Sequence, residues 1–273
     1  MDVLRYAAFT DDPAGGNPAG VVLDAGTATA GQMLAVAAEV GYAETAFVVG
    51  GTGRTVAMRY FSPHAEVPFC GHATVATAVA LAERSGPGDY SFDTPVGRVE
   101  IVVDAGRASF TSVDPVVTAL PDDALRDVLD LIGLDRDDLD GQHPPRVANA
   151  GNPHPVLVVR DAARFDAFTV DPQRARRVLD THGWPATLTV VHRRGPLEFE
   201  ARNVFPVGSI TEDPATGSAA AALGGYLRDL GLVPVPATVT IHQGRHVGRP
   251  GVLTVDVPAR GGIVVTGSAV PIP

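Results

Sequence analysis

The chain carries an internal duplication, and a duplicated chain is constrained to fold as two copies of one architecture. Gly16-Asn17-Pro18 returns as Gly151-Asn152-Pro153. Arg59-Tyr60-Phe61-Ser62-Pro63 is echoed by Arg202-Asn203-Val204-Phe205-Pro206, and Glu66-Val67-Pro68-Phe69-Cys70-Gly71-His72 by Glu212-Asp213-Pro214-Ala215-Thr216-Gly217-Ser218. The offsets of 135, 143 and 146 residues rise along the chain, as small loop insertions require. Two similar halves are expected to pack face to face, and a cleft between them would then be the default place for a ligand. The duplication predicts two domains, 1–117 and 118–262, each within the usual domain range.

The secondary-structure signals recur in the same order. Thr29 with Gln32 makes a capping box for a helix through about Val40, and Gly41 supplies the left-handed residue that ends it. Glu44 follows, then a strand over 45–49. The second half repeats this with a helix from Pro172 to His182, Gly183, and a strand over 186–191. In each half an extended Arg…Pro segment then leads to a helix of small apolar residues, 73–82 and 218–227, with no charge on any face until its end. A helix apolar all round is a buried helix. Hairpin signals at Asp104-Ala105-Gly106 and at Ala259-Arg260-Gly261-Gly262 close the halves. The expected fold class is α+β, each half a strand-rich layer curled around one central helix.

Composition removes several functions. All 21 basic residues are arginine, so neither a Schiff-base lysine nor a Walker A phosphate loop exists here. A net charge of −10 argues against nucleic acid and against anionic membrane surfaces as partners. No apolar run approaches a membrane span, and the N-terminus lacks the pattern of a secretory signal, so a cytoplasmic protein is expected. The single cysteine excludes an intramolecular disulfide and a thiolate-rich zinc site. His242 and His246 have metal-ligand spacing for a helix, but their surroundings read as a strand entering a turn, and no metal is expected. Eight aspartates between Asp122 and Asp140 read as a solvated helix and inter-domain linker.

The starts of the two central helices carry the chemistry. A helix N-terminus has unpaired N–H groups and partial positive charge, so it can hold a carboxylate, and Gly71 and Gly217 put bare backbone there. Glu44, His72, Asp213 and Ser218 gather around these points. Their counterparts differ: His72 corresponds to Ser218, Asp213 to Val67, and Glu44 to Ala186. A site with one base and separate assisting groups has that asymmetry. The structural alternatives are an Asp213 N-cap with Pro214 at N1, a space-filling Ser218, a surface Glu44, a hydrogen-bonded core His72 and a packed Cys70 thiol.

Taken together, these strings resemble the PhzF family, the phenazine-biosynthesis-like isomerases, which share a fold with diaminopimelate epimerase and proline racemase. The resemblance is carried by Phe9-Thr10, Gly16-Asn17-Pro18-Ala19-Gly20, Glu44-Thr45-Ala46-Phe47, Cys70-Gly71-His72-Ala73-Thr74, Glu212-Asp213-Pro214-Ala215-Thr216-Gly217-Ser218 and Gln243-Gly244-Arg245-His246. It implies two pseudo-symmetric domains, each a mixed sheet or barrel around a central helix, with the C-terminal strand, 263–273, returning to the first. It implies a homodimer and a cofactor-independent isomerase that moves a proton between ring carbons of 2,3-dihydro-3-hydroxyanthranilate. By motif, Glu44 is the general base, and His72, Asp213 and Ser218 position the substrate and assist. Gly71, Ala73, Thr216 and Gly217 bind it, carboxylate included. The related epimerases use two opposed cysteines. Cys70 fills the first such position and Thr216 the second, and a threonine hydroxyl is too weak an acid–base, which leaves one-base transfer on Glu44. Two other readings remain: an amino-acid racemase or epimerase with a different substrate, and a non-catalytic carboxylate-binding protein of the same fold.

Overall fold

The structure is a computed structural model that describes residues 1–207 and 210–273. It divides into two compact units, Met1–Thr111 with Thr266–Pro273, and Ser112–Val265.

The first unit contains β1 (Leu4–Ala8), β2 (Asn17–Val22), α1 (Ala30–Val40), β3 (Glu44–Thr52), β4 (Thr55–Phe61), β5 (Glu66–Val67), α2 (Gly71–Ser85), β6 (Gly88–Thr94), β7 (Gly97–Asp104) and β8 (Arg107–Thr111). Pairing runs β1–β2 antiparallel, β2–β3 parallel, β3–β4 antiparallel, β4–β6 parallel, then β6–β7 and β7–β8 antiparallel. The C-terminal strand of the chain, Val264–Pro271, pairs with both β1 and β8 and closes an eight-stranded barrel. Helix α2 packs against β1, β2, β3, β7 and β8 and is buried without interruption from His72 to Ala80. Its small side chains explain how a helix fits inside so narrow a barrel. Helix α1 has the expected capping box, Thr29 with Gln32, and ends at Gly41 with φ 71°. Its Met33 and Ala37 cover Phe47 and Phe61.

The second unit repeats that order with β9 (Val116–Ala119), α3 (Asp122–Ile132), β10 (Arg146–Asn149), β11 (Pro153–Val159), α4 (Ala162–Ala167), α5 (Pro172–Thr181), β12 (Leu188–Gly195), β13 (Glu198–Val207), β14 (Ile210–Asp213), α6 (Gly217–Asp229), β15 (Ala237–Gln243) and β16 (Gly251–Val257). Its pairings from β10 to β16 alternate antiparallel and parallel as β1 to β7 do. Strand β9 flanks β10. Helix α6 is the central helix, and Gly225 lets it sit close to the wall: a Cβ there would stand 2.4 Å from Pro115 Cβ.

The linker reading of the acidic stretch fails. Residues 122–132 form α3, whose Ala124, Leu125, Val128, Leu129, Leu131 and Ile132 are buried against Phe165, Leu179 and Trp184 of the second unit. The aspartates lie on its outer face and its turn, where Asp122 meets Arg136, Asp127 meets His182, and Asp130 meets Arg174. Four of the eight aspartates, Asp122, Asp123, Asp127 and Asp130, form one side of an amphipathic helix, and the other four follow it. No helix among the described residues is long and apolar enough to cross a membrane.

Candidate active site

The first unit brings Asn17, Glu44, Cys70 and His72 to the start of α2. Strands β2 and β3 run parallel with Ala19 beside Glu44, so Asn17 and Glu44 lie near each other at one end of adjacent strands. Cys70 is the N-cap of α2 in extended conformation, with no side-chain capping bond, and Gly71, His72 and Ala73 form the first turn. The Cys70 thiol donates toward Glu44 Oε2 at 3.6 Å, and His72 Nε2 stands 3.5 Å from the same oxygen. Asn17 Nδ2 lies 3.1 Å from His72 Nδ1. An amide nitrogen only donates, so Nδ1 accepts and Nε2 carries the proton that faces Glu44. Burial pushes the His72 pKa down to about 3, so the ring is neutral at ordinary pH. The Glu44 side chain is 13% exposed.

Glu44, Cys70 and His72 are also a potential metal-ligand set, their donor atoms clustered within 4.8 Å. In this tautomer Nε2 carries hydrogen and Nδ1 already accepts from Asn17, so neither ring nitrogen presents a free lone pair to a cation. His242 and His246 do not converge on a shared point: the first meets Glu198 and the second Asp166.

The second unit builds a different cluster at the start of α6. Asp213 ends β14 and is not the helix cap; Thr216 is the N-cap and Gly217, not Pro214, opens the helix. The capping reading fails because three residues, Pro214, Ala215 and Thr216, separate Asp213 from the first helical residue, and the last of them, in extended conformation, is the cap. Thr216 Oγ1 instead donates to Asp213 Oδ2 at 2.6 Å. Gln243 clamps this turn: its Nε2 donates to Asp213 O at 2.6 Å and to Thr216 Oγ1 at 3.0 Å, while its Oε1 accepts from the Thr216 N–H at 3.1 Å. Ser218, in the first turn, lies 3.1 Å from Nε2 of His154 on β11. His154 is fully buried, and burial pushes its pKa down to about 4.

The structure thus groups Glu44, Gly71, His72 and Ala73 in one unit and Asp213, Thr216, Gly217 and Ser218 in the other. Sequence reasoning missed Asn17, His154 and Gln243. His154 had a readable signal, since it directly follows the repeated Gly-Asn-Pro at a position where the first copy has Ala19. Arg59 and Arg202 belong to neither cluster. Each pairs with the glutamate that accompanies it in its own repeat, Arg59 with Glu66 and Arg202 with Glu212.

Comparison with known proteins supports the fold and identifies the family. Residues 6–272 match the model of the PhzC-PhzF family, described as phenazine biosynthesis-like protein. The chain is 30% identical to the uncharacterized isomerase YddE of Escherichia coli K12, covering 98% of this chain and 95% of that one. It is 35% identical to an uncharacterized isomerase of Deinococcus radiodurans, covering 95% and 88%. Among solved structures, a PhzF-family phenazine biosynthesis protein of Bacillus anthracis superposes with TM-score 0.87 at 26% identity, covering 100% of this chain and 98% of that one. A predicted epimerase of Pseudomonas aeruginosa gives 0.84 at 27%, covering 99% and 96%. A hydroxyproline epimerase of Agrobacterium vitis shares the fold, with TM-score 0.63 at 12% identity over 98% of this chain and 90% of that one. The chain belongs to the phenazine biosynthesis-like PhzC-PhzF family and is an isomerase of that family.

Proposed function

We propose that this isomerase moves a proton on a small carboxylated substrate by general acid–base catalysis at Glu44, with 2,3-dihydro-3-hydroxyanthranilate as the first compound to test. The observation that carries the reading is the asymmetry of the base. Glu44 is a largely buried carboxylate beside a neutral imidazole and a thiol, while the matching position of the second repeat is Ala186. One carboxylate takes a proton from a substrate carbon, the electron pair left behind shifts along the conjugated system, and the same carboxyl returns the proton at another carbon. No bond to a cofactor is needed in that sequence.

The N–H groups of the first turn of α2 suit a substrate carboxylate, since Cys70 does not cap them with its side chain. In this reading Asp213 and Ser218 are the groups that hold the substrate's polar substituents. Racemisation by two opposed side chains is disfavoured, because the Thr216 hydroxyl is committed to Asp213 and is far too weak an acid in any case.

The test is incubation with 2,3-dihydro-3-hydroxyanthranilate in D2O, comparing the native protein with Glu44→Gln. Substrate loss with ring deuteration, both abolished in the variant, is expected. Turnover that survives Glu44→Gln would sink the one-base mechanism. Deuterium entering an amino-acid α-position instead would favour an epimerase.

A further inference from the structure

Ser218 sits at one end of a buried hydrogen-bond chain, and the chain's direction can be read from its far end. Asn203 Oδ1 can only accept, and it receives the hydroxyls of Thr187 at 3.0 Å and Thr189 at 2.7 Å. Thr187 has one hydroxyl hydrogen and spends it on Asn203. Toward His154 it therefore shows only lone pairs, from Oγ1 at 3.0 Å and from its carbonyl at 3.3 Å. His154 Nδ1 must carry the hydrogen. A neutral ring with hydrogen on Nδ1 has a bare lone pair on Nε2, and that lone pair takes the Ser218 hydroxyl hydrogen at 3.1 Å.

The barrel does not demand this arrangement. Thr45 holds the place of Thr187 in the first repeat, at the 142-residue offset that also relates Gly41 to Gly183, and its buried hydroxyl has no hydrogen-bond partner. The same architecture folds with a lone threonine there. The second repeat instead buries His154, Thr187, Thr189 and Asn203 together, a polar set that is stable only when every member is matched.

We propose that the Ser218–His154–Thr187–Asn203 chain turns the Ser218 hydroxyl hydrogen inward and makes its oxygen a dedicated hydrogen-bond acceptor, selecting substrates that present an N–H or O–H to it. His154 is then a positioning residue, and the substrate's carboxylate is kept off the serine oxygen because two acceptors would face each other. This selection rests on the proposed role of the α6 start in holding substrate.

The experiment has two arms. Long-range 1H–15N spectra of the native protein, labelled at histidine nitrogen and assigned with His154→Gln, report the tautomer directly. The expected result at pH 7 is a neutral His154 with hydrogen on Nδ1, whose Nε2 resonance moves in Ser218→Ala. Hydrogen on Nε2, or a charged ring, would overturn the proposal whatever the substrate is. The second arm is calorimetric binding of anthranilate, which carries an amine donor, and benzoate, which does not. Ser218→Ala and His154→Phe are expected to weaken anthranilate about tenfold, the loss of one hydrogen bond, and benzoate less than about twofold. His154→Gln, which keeps an acceptor near the Nε2 position, is expected to restore the preference. Equal weakening of both ligands would overturn the selection. If neither ligand binds the native protein, the proposed carboxylated ring fails as substrate, and the tautomer still decides the direction of the chain.

Discussion

His72 and Glu44 face each other at 3.5 Å, imidazole Nε2 to carboxylate Oε2, with both side chains nearly out of water. Because burial holds the His72 pKa down to about 3, the ring offers this carboxylate an N–H dipole rather than a cation. The activity profile should therefore have no limb from His72 between pH 5 and 8. His72→Asn is expected to lower turnover without displacing whatever limbs the native profile shows there. A limb near pH 6.5 that vanishes in the variant would mean the imidazolium is the working form.

The buried histidines His72 and His154 also make the fold less stable in acid. Their folded pKa values, about 3 for His72 and about 4 for His154, lie below the ordinary 6.5, both through desolvation. The unfolded chain therefore binds more protons as the pH falls. Their contribution is complete above pH 6.5 and is lost as the pH drops toward the folded values. Each takes away about 1.4 kcal/mol per pH unit across its window. Urea unfolding at pH 7, 6 and 5 should show a steep decline, and His154→Gln should remove roughly half of the slope. Flat stability between pH 6.5 and 5 would contradict two neutral buried rings.

The duplicated Arg–Glu pairs give a matched test of burial. Arg59 and Glu66 are 29% and 37% exposed, whereas Arg202 and Glu212 are 6% and 10%. Arg202 also donates to the carbonyls of Phe165 and Phe168 at 2.9 and 3.0 Å and lies 3.5 Å over the Phe168 ring. Arg202→Met strands a buried carboxylate and should cost about 3–5 kcal/mol. Arg59→Met should cost about 1 kcal/mol or less, since water screens that pair. Equal losses in urea unfolding would show that the second pair's burial is not what stabilises it.

Much of the architecture was legible because the signals were local or repeated. The Thr29–Gln32 box, the Gly41 stop and the chargeless helices around Ala73 and Ala219 each follow from spacing within one element. The errors came where composition outweighed periodicity: eight aspartates hid the apolar stripe of α3. The N-cap alternative for Asp213 falls because the helix starts at Gly217, where the repeat had already put it. His154 and Gln243 were invisible as a pair with Ser218 and Thr216 because the contacts span 64 and 27 residues and depend on which strands become neighbours. Long-range polar chains of that kind leave no period in a sequence.

Gly244 directly follows Gln243 and carries the last prediction. Its φ is 90°, and a Cβ there would stand 2.2 Å from Arg249 O and 2.5 Å from Pro214 O, both backbone atoms that cannot swing aside. The residue must be bare for the turn after β15 to close over the Asp213–Thr216 segment. Gly244→Ala combines left-handed strain with a backbone clash and should destabilise the protein by about 2 kcal/mol or more. It should also push Pro214 away and loosen the Gln243 hydrogen bonds, so that catalysis falls even at temperatures where the variant remains folded. Gln243→Ala, which removes the clamp without crowding the turn, should reproduce the loss of activity with less effect on stability. Full activity in a folded Gly244→Ala protein would mean that the position of Asp213 does not depend on this turn.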